Sequence, residues 1–441
     1  MPTETATEDK KTTVGNYFVS NYPPFAYWQK EQAAKAEAIL KRPAPSDTPL
    51  GVYFHVPFCR KRCHFCYFRV YTDKKASEIN DYLDAGLAEL ERYASRPYIQ
   101  GRKADFVYFG GGTPSYLSEK QLARLTSAMK AAIPWDEARE VAFEAEPGTL
   151  REKKLDAIRD MGVTRLSMGI ENFDDHILGL NGRAHRSREI FRAYEYAKKI
   201  GFPQINIDLI AGMIDETDEN WAKTVQQAID LDPECVTIYQ MEIPYNTTIY
   251  KQMKESGQIT APVADWDTKR KWVKYAFEQF EAAGYTVTSG YTVVKNPKKV
   301  QFVYRDALWG GADLLALGVA SFGHLAGLHY QNQANVDPYM ELIERGDELP
   351  IFRAYETNRE EQLIREFILQ LKLGKVERAY FERKFGVSVA EKFGHVTDRF
   401  VAEGYFEQDE KEIRVNRDGL LEVDRLLHDY FLPQHIGDRY V

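Results

Sequence analysis

Cysteine is scarce in this chain, with four in 441 residues. So few exclude a disulfide-built scaffold, which needs dense, paired cysteines. An excess of positive charge is also missing: 58 Lys and Arg stand against 66 Asp and Glu, for a net charge of −8. That argues against a general affinity for nucleic acid, which requires a basic face. There is no long apolar run, and the opening MPTETATEDKKTT is polar. Neither a signal peptide nor a membrane span is expected, and a reducing cytoplasm is the natural setting. Low-complexity tracts and internal repeats are lacking too. Composition is otherwise that of an ordinary globular protein, and the length predicts two or three domains.

The few cysteines are crowded. FHVPFCRKRCHFCYFRV, residues 54–70, holds Cys59, Cys63 and Cys66 in a C-x3-C-x2-C spacing. Clustered thiolates in a reducing compartment point to metal. Structural zinc takes four closed ligands, typically two C-x2-C knuckles, and only one knuckle is present. Three thiolates suit a cubane 4Fe–4S cluster whose fourth iron is left open to a small ligand. Three incidental cysteines, two of them in a disulfide, are the alternative. Cys235 opens a predicted strand and reads as a buried apolar residue.

From residue 50 short β-rich runs alternate with longer amphipathic stretches. The runs are 51–56, 105–111, 141–147, 165–170, 205–212 and 235–243, with a weaker seventh at 285–293. Helical patterns such as 79–94 and 118–133 lie between them. Repeated βα units imply parallel strands with helices outside, and six in a row suit a complete or partial barrel. Strand content is expected to fall after about residue 300. Residues 356–374 and the pattern that follows read as helical, with a hairpin at 404–416, which suggests a winged-helix-like module. Residues 1–14 look disordered, whereas GNYFVSNYPPFAYW, 15–28, is aromatic and should pack on something; 29–42 reads as a helix. The expected division is 1–48 as tail and aromatic segment covering the active site, 49–300 as barrel, 301–355 as barrel extension or connection and 356–441 as C-terminal domain.

The predicted strand ends carry polar or glycine-rich residues. GGGTP holds Gly111, Gly112 and Thr113, where backbone N–H groups can approach a ligand; a tight strand-to-helix turn explains it equally. Glu144 and Glu146 alternate with apolar residues and so share one strand face, although a solvated strand end would look the same. Glu171, Arg183 and His185 follow the fourth strand, where Arg183 could be a surface charge and His185 incidental. Asp208 lies inside an apolar strand, where an unpaired carboxylate is unfavourable, which favours ligand contact. Gln240 and Glu242 either line a pocket or form a polar barrel layer.

The cysteine spacing, with Phe65 before the third cysteine, resembles the signature of radical S-adenosylmethionine (SAM) enzymes. YFHVPFCRKRCHFC is similar to the branch of oxygen-independent coproporphyrinogen III oxidases, a heme chaperone and the class C radical C-methyltransferases. The resemblance spans roughly residues 50–345. It implies a partial parallel (β/α)6 radical SAM barrel with a mainly helical, winged-helix-like C-terminal domain. It also implies a 4Fe–4S cluster on Cys59, Cys63 and Cys66, and one SAM or two. SAM contacts would come from Gly111, Gly112, Thr113, Glu144, Glu171, Arg183 and Asp208, with Tyr53 and Phe65 beside the cofactors. Tyr53 and Glu171 are the candidates for a part in the reaction itself. A flavodoxin- or ferredoxin-type electron donor, a porphyrinogen-like or other aromatic substrate and a place in porphyrin biosynthesis complete the implication.

Four departures bear on the subfamily. Glu171 stands where the family usually has Gln. Phe68 replaces a further cysteine often found in the oxidases, which counts against decarboxylation of coproporphyrinogen. Tyr304 in YRDALWGG stands where the chaperone has a histidine, leaving His324 or His329 as substitutes. The aromatic 15–28 segment resembles one that closes over the oxidase's active site, which favours an enzyme over a carrier. Oxidase-like chemistry, methyl transfer with two SAM molecules and heme carriage remain as three readings.

Overall fold

The first six β-rich runs become β1 (Leu50–Val56), β2 (Phe106–Gly111), β3 (Glu140–Ala145), β4 (Arg165–Glu171), β5 (Gln204–Ala211) and β6 (Cys235–Gln240). All six are neighbours in sequence order and pair in parallel. Parallel neighbours need crossovers, and the amphipathic stretches supply them as helices, among them Ala76–Ala94, Glu119–Ala132, Ser187–Ile200 and Asp218–Leu231. Local chemistry sets their ends. Ser118 Oγ accepts from Gln121 N at 3.3 Å while Gln121 Oε1 accepts from Ser118 N at 2.8 Å, a capping box. Strand side chains of Val52, Phe54, Phe109, Phe143, Leu166 and Ile207 are fully or nearly fully buried and form the main core with the inner helix faces. This computed structural model describes residues 15–256, 262–346 and 348–436; the tail expected to be disordered lies outside the described residues.

Strand content does not fall after residue 300. The weak run at 285–293 is a hairpin, β7 (Thr286–Ser289) and β8 (Thr292–Val294), and β8 runs antiparallel to β6. Beyond it, β9 (Asp313–Leu317) pairs in parallel with β1 on its other side, from Leu50↔Asp313 to Phe54↔Leu317. Then β10 (Phe322–Leu325), β11 (Leu328–Asn332) and β12 (Ile351–Glu356) continue antiparallel. These runs are short and punctuated by Gly318, Gly323 and Gly327, which hides their period from sequence. YRDALWGG contributes a helix, Val303–Trp309. The resulting sheet of 12 strands has β12 and β7 at its edges, which do not pair with each other, so the barrel is partial.

The C-terminal region is mainly helical, with Arg359–Leu371, Arg378–Phe385 and Val389–Ala402 beside a small sheet of β13 (Lys375–Glu377), β14 (Phe406–Gln408) and β15 (Glu412–Val415). It has a second core in which Phe367, Phe381, Phe393, Phe400 and Tyr430 meet. Val19 and Tyr22 of the aromatic segment belong to that core. The segment therefore works as a strap, tied to the C-terminal region at one end and to β12 at the other, where Gln29 and Ala354 exchange backbone hydrogen bonds at 2.9 Å. No helix among the described residues is long and apolar enough to cross a membrane.

One ion pair anchors the strap. Lys372 Nζ lies 2.8 Å from Asp424 Oδ1, and both side chains are 0% exposed. Lys372 also donates to Val19 O at 2.7 Å, and Val19 N donates to Asp424 Oδ1 at 2.8 Å. Removing one partner of such a pair leaves the other charged and buried, a loss of about 3–5 kcal/mol. Lys372→Met is therefore expected to lower the unfolding midpoint sharply and to expose the strap to limited proteolysis. A variant that keeps wild-type stability and protection would show that the pair does not hold the strap.

Candidate active site

All three clustered cysteines sit on the loop between β1 and the helix at Ala76, at the C-terminal ends of the parallel strands. The loop is pinned from several sides. Cys59 N donates to Tyr71 O at 3.0 Å, and Tyr71 N to Pro57 O at 2.8 Å. His64 N donates to Asn181 O at 3.0 Å, and Ile249 N to His64 O at 3.1 Å. Arg62 Nη2 donates to Cys66 O and Asn246 O, each at 3.1 Å. Loops after β4 and β6 thus hold the loop after β1.

The three thiols are free and line one cavity of about 200 Å³. Phe65, Gly111, Gly112, Thr113, Glu144, Glu171, Arg183 and Asp208 line the same cavity. No three Cys, His, Asp or Glu side chains among the described residues converge tightly enough to hold a single metal ion. Thiols spread around a cavity suit a multi-iron cluster better than a mononuclear zinc site. Burial pushes the Cys59 thiol up to about 12 and the Cys66 thiol to about 11, so these thiols ionise when a metal takes the proton's place. Thr113 Oγ1 donates to Cys59 Sγ at 3.2 Å, and Arg183 Nη1 to Cys63 Sγ at 3.3 Å. Arg183 Nη2 also donates to Gly169 O. Its Nε is buried with no partner among the described residues, which leaves one guanidinium donor unmatched in the cavity wall.

Glycine is required at the end of β2. The imidazole of His55 lies 2.5 Å from where a Cβ on Gly111 would be, and Gly111 has φ +111°. At Gly112 a Cβ would lie 2.9 Å from Val56 O. These close approaches let the β2 turn lie against β1 and the cavity, with Gly111 N engaged by Glu144 and Gly112 N by Val56 O.

The carboxylates divide into two kinds. Glu144 accepts from Tyr108 OH at 2.6 Å and Gly111 N at 3.0 Å. Burial raises its pKa to about 7, and does the same for Glu171. Glu171 lies 3.5 Å from Arg183 and has φ +68°, a left-handed conformation that costs a non-glycine residue about 1–3 kcal/mol and clusters at functional sites. Asp208 accepts from Ser167 Oγ at 3.0 Å and Asn206 Nδ2 at 2.9 Å. It is therefore paired within the barrel as well as facing the cavity, so the argument that an unpaired carboxylate needs a ligand does not apply to it. Burial still raises its pKa. Glu146 is different. Burial alone would raise its pKa, but His185, Arg183 and Arg60 hold it down to about 2. His185 Nδ1 lies 3.0 Å and Arg60 Nη2 3.2 Å from its Oε1.

Tyr53 lies one layer deeper. Its hydroxyl is 2.9 Å from His55 Nδ1. Burial holds His55 near 4, so the imidazole is neutral and Tyr53 donates to it. The Tyr53 ring stacks on Tyr108 at 5.9 Å, and Tyr304 lies 4.3 Å from Tyr108. Phe65 lines the cavity while packing with Ile177, Ile210, Met213 and Met241. Sequence reasoning missed His55, Tyr108 and Ser167, and treated His185 as incidental although it is fully buried. Period-two alternation could have found the first three: His55 shares a strand face with Tyr53, Tyr108 precedes Gly110 on β2, and Ser167 pairs in register with Glu144. Gln240 points away from this cavity, its Nε2 donating to Leu421 O of the C-terminal region at 3.1 Å.

Comparison with known proteins agrees with this geometry. Residues 53–228 match the model of the Radical SAM superfamily. The chain is 28% identical over 377 residues to the heme chaperone HemW of Bacillus subtilis, covering 84% of this chain and 96% of that one. It is 32% identical over 286 residues to HemW of Haemophilus influenzae, covering 64% of this chain and 72% of the relative. It is 25% identical over 420 residues to the oxygen-independent coproporphyrinogen III oxidase of Escherichia coli, covering 91% and 89%. The solved structure of the Escherichia coli coproporphyrinogen III oxidase, described as a radical SAM enzyme, superposes with a TM-score of 0.81 at 23% identity, over 94% of this chain and 96% of that one. Thiol loop, glycine turn and barrel rim thus have a common explanation: the chain belongs to the radical SAM superfamily, whose cofactors are a 4Fe–4S cluster and SAM, in the branch shared by oxygen-independent coproporphyrinogen III oxidases and HemW heme chaperones.

Proposed function

We propose that the chain is a radical SAM enzyme, oxidase-like in its handling of cofactors, that abstracts hydrogen from a small organic molecule. The observation that carries this reading is the single cavity at the strand ends, lined by three free thiols, Thr113, Glu144, Glu171, Arg183 and Asp208. Cys59, Cys63 and Cys66 would hold the cluster, leaving one iron open. When bound and reduced, the cluster supplies the electron that splits SAM into methionine and a 5′-deoxyadenosyl radical. The protein's part is to bind, orient and exclude water. Arg183 offers a fork for the SAM carboxylate, and its unmatched Nε fits that task. The backbone at Gly111 and Gly112 can reach the amino group, and Glu144 retains acceptor sites for ribose hydroxyls. Glu171 keeps an acceptor where the family usually has an amide. Tyr53, fixed by His55, closes the floor. The strap over the mouth shields a reactive intermediate from solvent. An oxygen-poor, reducing compartment and a flavodoxin- or ferredoxin-type donor suit this chemistry.

A second reading, heme carriage, draws support from the relatives named heme chaperones. Its candidate ligands are His324 and His329. Both are buried, His324 Nδ1 lies 3.1 Å from Ala312 O, and His329 Nδ1 lies 3.2 Å from Asn21 Nδ2. Trp28 of the strap stacks on His329 at 5.4 Å. Heme iron could reach the His329 ring only after the strap had left. Methyl transfer using a second SAM uses the same cofactor residues; its mark would be S-adenosylhomocysteine alongside deoxyadenosine.

The anaerobically reconstituted protein is expected to show 4Fe–4S absorbance that Cys59→Ala, Cys63→Ala and Cys66→Ala each abolish and Cys235→Ala leaves intact. A normal cluster in Cys63→Ala would sink the assignment. Loss of a charge-assisted contact in Arg183→Ala or Asp208→Asn should weaken equilibrium SAM binding by about 1.5–3 kcal/mol, and wild-type affinity in both would mean that SAM lies elsewhere. In spectral titration with hemin, the intact protein is expected not to bind stoichiometrically. A one-to-one heme complex lost in His329→Ala would replace the enzyme reading with the carrier.

A further inference from the structure

The short helix before Arg183 ends in a turn that the cysteine loop completes. This helix, Asp175–Leu180, is followed by Asn181 and by Gly182, which has φ +76°. Gly182 N donates to Gly179 O at 3.1 Å, and Arg183 N to Leu178 O at 2.9 Å. That pair of bonds around a left-handed glycine is a Schellman motif. It satisfies two of the carbonyls that a helix end leaves open, and Asn181 N donates to a third, Ile177 O, at 3.1 Å. Leu180 O and Asn181 O lie past the turn's own donors. His64 of the cysteine loop supplies both. Its backbone N donates to Asn181 O at 3.0 Å, and its Nδ1 lies 2.9 Å from Leu180 O. A carbonyl only accepts, so the imidazole donates through Nδ1.

The ring also packs on the turn. A Cβ on Gly182 would lie 2.6 Å from His64 Cδ2, so glycine is required there both for its φ and for the ring. The residues flanking His64 reach the same region. Arg183 Nη1 donates to Sγ of Cys63, and Phe65 packs on the apolar group that includes Ile177 of the helix. Asn181, 0% exposed, ties the turn to the loop after β5: its Nδ2 donates to Ile214 O at 3.2 Å and its Oδ1 accepts from Ile214 N at 3.0 Å. The turn is thus held by the barrel on one side and by the cysteine loop on the other. Any residue at position 64 with a backbone N–H would offer the bond to Asn181 O. The bond to Leu180 O and the contact with Gly182 are what the histidine side chain adds.

We propose that His64 is a positioning residue for Arg183: it caps the helix end from the cysteine loop and so holds the guanidinium beside the cluster thiols, where it serves the SAM carboxylate. The two carbonyl bonds, the ring contact and the Arg183–Cys63 bond close one frame. Within that frame a shift of the helix end moves the arginine relative to the thiols. Cluster loop and SAM-binding arm are therefore set as a unit. The inference rests on the radical SAM reading, in which Arg183 meets SAM.

Equilibrium SAM binding to the anaerobically reconstituted protein tests it, with iron content and cluster absorbance measured on the same samples. His64→Phe keeps a ring against Gly182 and removes the donor, whereas His64→Asn keeps an amide N–H close to where Nδ1 sits. Both variants are expected to load the cluster fully. His64→Phe should bind SAM at least about fivefold more weakly than the unmodified protein, and His64→Asn within about twofold of it. Adding His64→Phe to Arg183→Ala should weaken binding by less than about twofold further, because a positioning residue acts only through the group it positions. His64→Leu replaces His64→Phe in each comparison if the latter does not load the cluster. Cluster loss in both would place the task of His64 at the cluster itself and overturn the proposal. Unchanged affinity in His64→Phe overturns it as well. So does an equal loss in His64→Asn, or additive losses in the double variant, which would give His64 a role apart from Arg183. Unmodified protein that lacks the cluster or SAM binding would overturn the cofactor reading and this inference with it. A loaded, SAM-binding protein indifferent to residue 64 would overturn the positioning alone.

Discussion

The parallel register of β1 to β6 is the constraint on which the site depends. Val56 lies opposite Gly111, Ala145 opposite Met168 and Ala211 opposite Gln240, so six strands end on one rim. Backbone groups past the last rungs have no strand partner and must be satisfied by the loops themselves. Gly112 N does so by donating to Val56 O at 2.8 Å, and Cys59 N by donating to Tyr71 O. Meeting that requirement folds the thiol loop down onto the rim and brings it beside Thr113 and Arg183. A ligand site at the carboxyl ends of parallel strands is the usual outcome of this geometry.

The rim also gathers charge of one sign. Glu144, Glu171 and Asp208 are each raised first by burial, and Glu144 and Glu171 further by neighbouring carboxylates. Arg183 is the buried counterion of Glu171, and part of its donor capacity goes to Cys63. Under the proposed function, a ligand bearing sulfonium and ammonium groups would supply the missing positive charge. Glu146 needs no such ligand, because Arg60 and Arg183 already balance its charge and His185 sits within hydrogen-bond distance of it. Two glutamates on one strand face thus have different tasks, one open to the cavity and one bracing the loop that carries Arg183.

The strap ties this chemistry to the rest of the molecule. Asn16 Nδ2 donates to Leu421 O at 3.2 Å, Phe18 N reaches Glu242 and Val19 bonds to Asp424 and Lys372. One short segment therefore touches the barrel mouth and the C-terminal core together. Its aromatic residues, Phe18, Tyr22, Phe25 and Trp28, pack on Tyr291, Phe431, Phe322 and His329 in turn. Val19 and Tyr22 are part of the second core, so removing the strap would uncover it.

The barrel was legible because its strands and helices have clean periods, and each of the six runs from GVYFHV to CVTIYQMEI kept its place. The C-x3-C-x2-C spacing named the chemistry because three thiolates within eight residues have few other uses. Strands β9 to β12 were not legible, since short glycine-broken runs carry no period and draw their stability from edges supplied by β1 and the strap. The pairing of Asp208 with Ser167 and Asn206 was hidden for the same kind of reason: its partners lie on the same and neighbouring strands, and only register brings them together. His185 gave only a weak signal, being one histidine in a loop until folding placed it against Glu146. Sequence by itself determined the periods, the thiol spacing and the glycine turn, all of which are local. Tertiary structure alone decided which carboxylates are neutralised and which face the cavity, because charge balance in a buried site depends on distances between residues far apart in the chain.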